Sequence, residues 1–192
     1  MRGWLLLSVV FVCGGCDEQV RGETRRTGRE GGGVELAPAS GDNETGVVRA
    51  YIAPASGSTT QGRARLSKAD GGVRLEVEFD SAPPGRHGVH IHEHGDCGGE
   101  RAKNAGAHFS PDQVAHGLPG DGEHHLGDLG NVDIDARGHG SLSVLVRSAT
   151  LEPKDPRSLR DRAIVLSASE DRGAGTASPG DERRIGCGVI PK

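Results

Sequence analysis

The sequence predicts an all-β domain: eight short antiparallel strands forming a barrel or sandwich, interrupted by two long functional loops. Three observations lead there. From Val47 onward, apolar residues recur with period two, the spacing that lines one face of a strand. Glycine or proline separates most of these runs, in a chain of 192 residues that holds 32 glycines. No segment shows a convincing helical period, and with one Trp, one Tyr and three Phe the core has to be built from Val, Ile and Leu.

The N-terminal stretch MRGWLLLSVVFVCGGC reads as an export signal over 1–16. Arg2 precedes an apolar run from Trp4 to Val12 that is too short to span a bilayer, and small residues follow before Cys16. The glycine pair before Cys16 resembles a bacterial lipoprotein cleavage site, so Cys16 is the expected lipidation point, and simple signal cleavage is the alternative. Residues 17–45 are polar and glycine-rich without apolar periodicity, as expected of a flexible tether, and the folded domain is expected over 46–192.

Within that domain GVRLEVEF (72–79) sets the pattern. Val73, Leu75, Val77 and Phe79 alternate with charged residues, so one face is buried and the other wet. Similar short runs lie at 47–53, 62–69, 87–94, 129–135, 139–147, 162–169 and 185–190. The interruptions at 95–128 and about 168–184 are long for a compact domain, and such loops are usually functional. The net charge of −4 offers no basic field for phosphates, so nucleic acid is not an expected partner. Of four cysteines, Cys13 and Cys16 fall in the signal. Cys97 and Cys187 remain, and after export they are expected to pair, two buried free thiols being the alternative.

The chemistry gathers in the first loop and the strand before it. His108, His116, His125 and Asp128 offer three imidazoles and a carboxylate, a reasonable tetrahedral set for zinc on a glycine-rich loop. In HGVHIHEH the alternation sends Val89 and Ile91 into the core and puts His90 and His92 on the other face. Two histidines on a rigid strand beside a third from the loop suit copper.

With these residues in hand the chain resembles the copper/zinc superoxide dismutase family. The segments GVHIHEHGDC, GAHFSP, HLGDLGNV and RIGCGVI match it in order and spacing over about 47 to 190, and cysteine directly after Gly-Asp resembles the bacterial branch. The resemblance implies a Greek-key barrel, and dismutation of superoxide to oxygen and hydrogen peroxide. It implies copper on His90, His92 and His108, with His108 bridging to zinc on His116, His125 and Asp128. It makes Cys97 and Cys187 the family disulfide, His87 a supporting histidine and Asp171 a carboxylate linking one ligand of each metal. Arg184 takes the position of the arginine that attracts the superoxide anion. His94, His124 and His139 match no ligand and are expected at the surface, as is Arg183.

One position departs from the family. The strand RAIVLSASED should carry a fourth copper histidine four residues before the linking carboxylate, and counting back from Asp171 gives Ser167. A serine hydroxyl is a poor copper ligand. The expectation is therefore an exported, lipid-anchored superoxide dismutase of the cell envelope with an intact zinc site, weakened copper binding and reduced activity. The alternatives are a non-catalytic copper or zinc buffer and a structural domain that keeps only zinc, because function resides in the site and not in the fold.

Overall fold

The computed structural model describes residues 41–42, 46–173 and 183–192, all within one compact unit, Leu36–Lys192. The expected signal over 1–16, lipidation at Cys16, most of the tether over 17–45, and 174–182 of the second long loop lie outside the described residues.

The described residues form nine strands: β1 Gly41–Asp42, β2 Val48–Pro54, β3 Gln61–Ala69, β4 Gly72–Ser81, β5 Gly85–His92, β6 Asp128–Ile134, β7 Gly140–Arg147, β8 Ala163–Ser167 and β9 Arg184–Val189. Eight of them follow the sequence runs to within a few residues. The ninth, β1, pairs Gly41 with Arg49 and Asp42 with Val48, upstream of the expected domain start at 46. The hydrogen-bonded order is β6-β5-β8-β9-β2-β3-β4-β7. β6 and β7 end that order and lie beside each other, so eight antiparallel strands make a nearly closed barrel. The connections from β4 to β5 and from β7 to β8 cross between distant strands, as in a Greek key.

Alternation builds the core as the sequence predicts. On β4, Val73, Leu75, Val77 and Phe79 are buried while Arg74, Glu76, Glu78 and Asp80 are exposed. β2 adds Val48, Ala50 and Ile52, β3 adds Ala64 and Leu66, and β8 adds Ile164 and Leu166. The opposite face of β8 is buried as well. Ala163 and Val165 pack with Cys187, Ala102, Ala105 and Cys97 in a second apolar cluster, because the loop after β5 folds over the outside of the barrel. That loop holds the one helical element among the described residues, a short 3-10 segment Glu100–Ala105. Cys97 in the loop and Cys187 on β9 form a disulfide with Cα atoms 5.8 Å apart. It ties the loop to the barrel wall, across 90 residues of sequence. No helix among the described residues is long and apolar enough to cross a membrane.

Candidate metal centre

The rigid side of the site is β5. Val89 and Ile91 are fully buried in the barrel core, so the pleat sends His90 and His92 to the outer face, where both are also buried under the long loop. Three backbone hydrogen bonds stitch two segments of the loop to β5 and to each other. Phe109 N–H donates to Ile91 O (2.8 Å), Ile91 N–H to Gly127 O (2.8 Å) and Gly127 N–H to Phe109 O (2.9 Å). A Cβ on Gly127 would sit 2.3 Å from the Ile91 carbonyl, so only glycine permits this approach. The stitch sets His108, one residue before Phe109, close to Asp128, one residue after Gly127.

Two clusters of side chains result. His108, His116, His125 and Asp128 form one, with ligand atoms within 4.8 Å of each other, and His90, His92 and His108 form the other within the same limit. His108 belongs to both. In the first cluster three Nδ1 atoms converge on one carboxylate: His108 at 2.9 Å and His125 at 3.2 Å from Oδ1, and His116 at 3.0 Å from Oδ2 of Asp128. The His125 and Gly117 amides also donate to Oδ2, at 2.8 and 3.2 Å, and hold the carboxylate in place. Burial alone would push the Asp128 carboxyl up. The hydrogen bond from His108 and the charges of His125, His108 and His116 outweigh it and hold the group at about 2. The chain thus keeps an anion buried where three imidazoles point, and this set fits zinc.

The second cluster fits a softer ion bound by imidazole nitrogens. Nδ1 of His92 donates to the Gly106 carbonyl at 3.0 Å, and its Nε2 is buried without a hydrogen-bond partner. Burial is the main reason the His92 ring is held neutral, its pKa lowered to about 3, as a metal-binding imidazole must be. The His90 and His108 rings stack with centroids 4.0 Å apart, and the His92 ring meets His108 edge-on at 5.0 Å.

Asp171 lies between the clusters. Nε2 of His90 donates to its Oδ2 (2.8 Å) and Nε2 of His116 to its Oδ1 (2.9 Å). It links one imidazole of each cluster. Burial works against its ionisation, but the hydrogen bonds from His90 and Gly173 and the charge of His90 keep it well below the usual carboxylate range. Asn131 clasps its backbone from both sides: Asn131 Nδ2 donates to Asp171 O, and Asp171 N–H donates to Asn131 Oδ1, each at 2.8 Å. Gly88 completes the fit, since a Cβ there would meet His90 Cε1 at 2.8 Å and Asp171 Cβ at 3.1 Å.

The remaining expected residues are found as follows. The His87 ring is buried, with Nδ1 donating to Ser167 O (3.0 Å) and Nε2 facing Pro83 O (2.9 Å). Ser167 is 1% exposed at the end of β8, on the face that carries Val165. Arg184 is buried, with Nη1 donating to Ala102 O (2.6 Å) and Nη2 to Gly106 O (2.7 Å). His94, His139 and Arg183 are exposed and His124 is half-buried. Neither Asn131 nor Gly106 stands out in the sequence as a functional residue. Asn131 sits inside the quoted HLGDLGNV, yet an asparagine after a glycine reads first as turn chemistry.

The family model for copper/zinc superoxide dismutase matches residues 60–190. The chain belongs to the copper/zinc superoxide dismutase family. Among its relatives, the extracellular Cu-Zn superoxide dismutase of Haemonchus contortus is 34% identical over 158 residues, covering 77% of this chain and 85% of that protein. The Cu-Zn superoxide dismutase of Onchocerca volvulus is 33% identical over 150 residues, covering 72% and 93%. The copper chaperone for superoxide dismutase of Rattus norvegicus is 30% identical over 184 residues, and the chain spans 63% of its length. Among solved structures, a double mutant of a SOD-like protein from Bacillus subtilis superposes with a TM-score of 0.66 at 26% identity. It covers 75% of this chain and 97% of that one. Membership in the superoxide dismutase family therefore rests on sequence and fold together.

Proposed function

We propose that this protein is an exported superoxide dismutase-like metalloprotein that converts superoxide to oxygen and hydrogen peroxide, with activity reduced by Ser167. The observation that carries the reading is that His108 is shared by two ligand clusters while Asp171 joins one imidazole of each. A metal buffer has no need of two coupled sites; a redox centre held in register by a second ion does.

In this reading His108, His116, His125 and Asp128 hold zinc, and His90, His92 and His108 hold copper, with Ser167 in the fourth copper position. Bound copper supplies the one-electron couple on which both halves of dismutation depend. His108 keeps Nδ1 on the zinc side and takes up and returns a proton at Nε2. Asp171 fixes the tautomers of His90 and His116 by accepting from the Nε2 of each. Arg184 supplies the local positive charge that a superoxide anion needs on a chain of net charge −4.

Export is supported by the signal-like segment over 1–16 and by relatives named extracellular. We assign 17–45 to a tether and 46–192 to the metal-binding domain, anchored to a membrane of the cell envelope through lipid on Cys16. A Cys16→Ser chain that fractionates with membranes as the wild type does would overturn the anchor.

Ser167 itself favours a second reading, a non-catalytic copper- or zinc-binding protein on the same scaffold, and one relative is named as a copper chaperone. The deciding experiment is metal analysis with electron paramagnetic resonance on the purified protein, followed by a dismutation assay. Near-stoichiometric zinc, substoichiometric copper with a nitrogen-rich signal, and measurable dismutation support the enzyme. Zinc or copper without turnover supports the second reading.

A further inference from the structure

Arg184 reaches the metal face only because β9 is irregular. From Ala163↔Val189 to Leu166↔Gly186 the β8–β9 register is regular, and then Ser167 pairs with Arg184, leaving Ile185 as an extra residue. In a regular strand residues 184, 186 and 188 share a face. Gly186 and Gly188 face the core, where a Cβ on either would meet Ile52. An unbulged β9 would thus aim the Arg184 side chain inward. The bulge instead sends Ile185 into the core cluster and turns Arg184 outward to the loop carbonyls of Ala102 and Gly106.

The bulge is buried, Arg184 at 4% and Ile185 at 3% exposure, so its carbonyls on the side away from β8 call for partners within the protein. β2 cannot supply those partners, because it ends at Pro54 opposite Gly186. The next turn does. Ser56 Oγ donates to the Arg184 carbonyl at 2.6 Å, Ser58 Oγ donates to the Ile185 carbonyl, and Ala55 N–H donates to the same Ile185 oxygen at 3.0 Å. Ser56 adopts φ 52 to do this, a left-handed conformation rarely taken by a side-chain-bearing residue. Arg183 closes the clamp by donating from Nη2 to the Ser56 carbonyl at 3.2 Å.

We infer that the hydroxyls of Ser56 and Ser58 are positioning groups: they hold the β9 bulge and thereby fix the Arg184 guanidinium that binds a small anion at the metal face. The part concerning the anion rests on the proposed function; the part concerning the guanidinium does not.

The test uses the full chain as Ser56→Ala, Ser58→Ala and the double variant, with Ser58→Thr retaining a hydroxyl. In the zinc-loaded protein, nitrogen-resolved NMR of the Arg184 guanidinium, identified by its loss in Arg184→Lys, should show hindered rotation in the wild type. It should be averaged in the alanine variants and hindered again in Ser58→Thr. In the copper-loaded protein, azide affinity should fall about three- to tenfold in the alanine variants, the range for losing neutral hydrogen bonds behind a charge, while zinc content stays full. An unchanged guanidinium spectrum, or an unchanged azide affinity in protein that has lost both hydroxyls, overturns the inference. If the double variant does not fold, the single variants decide by the same two measurements. A wild type that binds no copper would sink the proposed function, while the zinc-loaded spectra still decide the clamp.

Discussion

His87 on β5 donates through Nδ1 to the backbone carbonyl of Ser167 at 3.0 Å, fastening the end of β8 against the strand that carries His90 and His92. The contact fixes the backbone at the position where the sequence leads us to expect a fourth copper histidine. Val89 pairs with Leu166 and His90 with Val165, so alternation puts Ser167 on the metal face. It ends the strand that pairs with the one bearing His90 and His92, and its side chain is a short hydroxyl.

Ser167→His should then restore a fourth imidazole without disturbing the fold. Copper affinity is expected to rise by on the order of tenfold or more, worth about 1.4 kcal/mol per decade, and dismutation should rise with it. Competition with a copper chelator and a steady-state assay read the two effects. A wild type that already binds one copper tightly and turns over at full speed would refute the role given to Ser167. A variant that gains neither copper nor rate would leave the non-catalytic reading in possession.

Cys97→Ser removes the covalent tie between the metal loop and β9. The closed loop spans 90 residues, and loss of such a link costs about 2–5 kcal/mol. The loop that the disulfide holds also carries the Ala102 and Gly106 carbonyls on which Arg184 rests. The variant should melt well below the wild type and retain less zinc after dialysis. Equal melting temperature and equal zinc content would show that the apolar cluster of Ala102, Ala105, Ala163 and Val165 holds the loop unaided.

Much of this molecule is legible in the sequence because period-two patterning and metal-ligand spacing are both local signals. Val73 to Phe79 announces its strand, and the spacing of His108, His116, His125 and Asp128 suggests a zinc-type set that the histidines of the preceding strand sharpen. Ser167 is legible only by counting from Asp171 within a recognised pattern. The β9 bulge is not legible, because Ile185 and Gly186 carry no turn signal and the partners of the bulge, Ser56 and Ser58, lie more than a hundred residues upstream. The clasp of Asn131 on Asp171 is hidden for the same reason, a pairing across 40 residues between an ordinary polar side chain and a loop backbone. The burial of both faces of β8 also escapes alternation, which tells which residues share a face and not what covers it.

Asp171→Asn keeps the shape of the link between the clusters and removes its charge. The amide can accept from only one of His90 and His116 and sets its own donor against the other. Loss of such an outer partner typically costs 10- to 100-fold in metal affinity. Both metals should weaken by about that factor, because one carboxylate serves a ligand of each. Paired zinc and copper titrations against chelators test this, and weakening of one metal alone would show that the link serves a single site.

Acid should destabilise the metal-free protein in two stages. His92 is buried neutral, with its pKa lowered from 6.5 to about 3. Between those values the unfolded chain binds a proton there that the folded chain does not, so stability rises with pH across that window and is lost on acidification from about 6.5 downward. Burial acts on His125 in the same direction. Asp128 is lowered from 3.8 to about 2, so its contribution is complete above 3.8 and disappears as pH falls through about 2. The first stage should remove on the order of a few kcal/mol, visible as a falling melting temperature between pH 7 and pH 4 in the metal-free protein. Bound metal should oppose the fall, since it occupies the same nitrogens and must itself be displaced by protons. A metal-free melting temperature that stays flat from pH 7 to pH 4 would mean that the His92 ring takes up its proton without leaving the folded state.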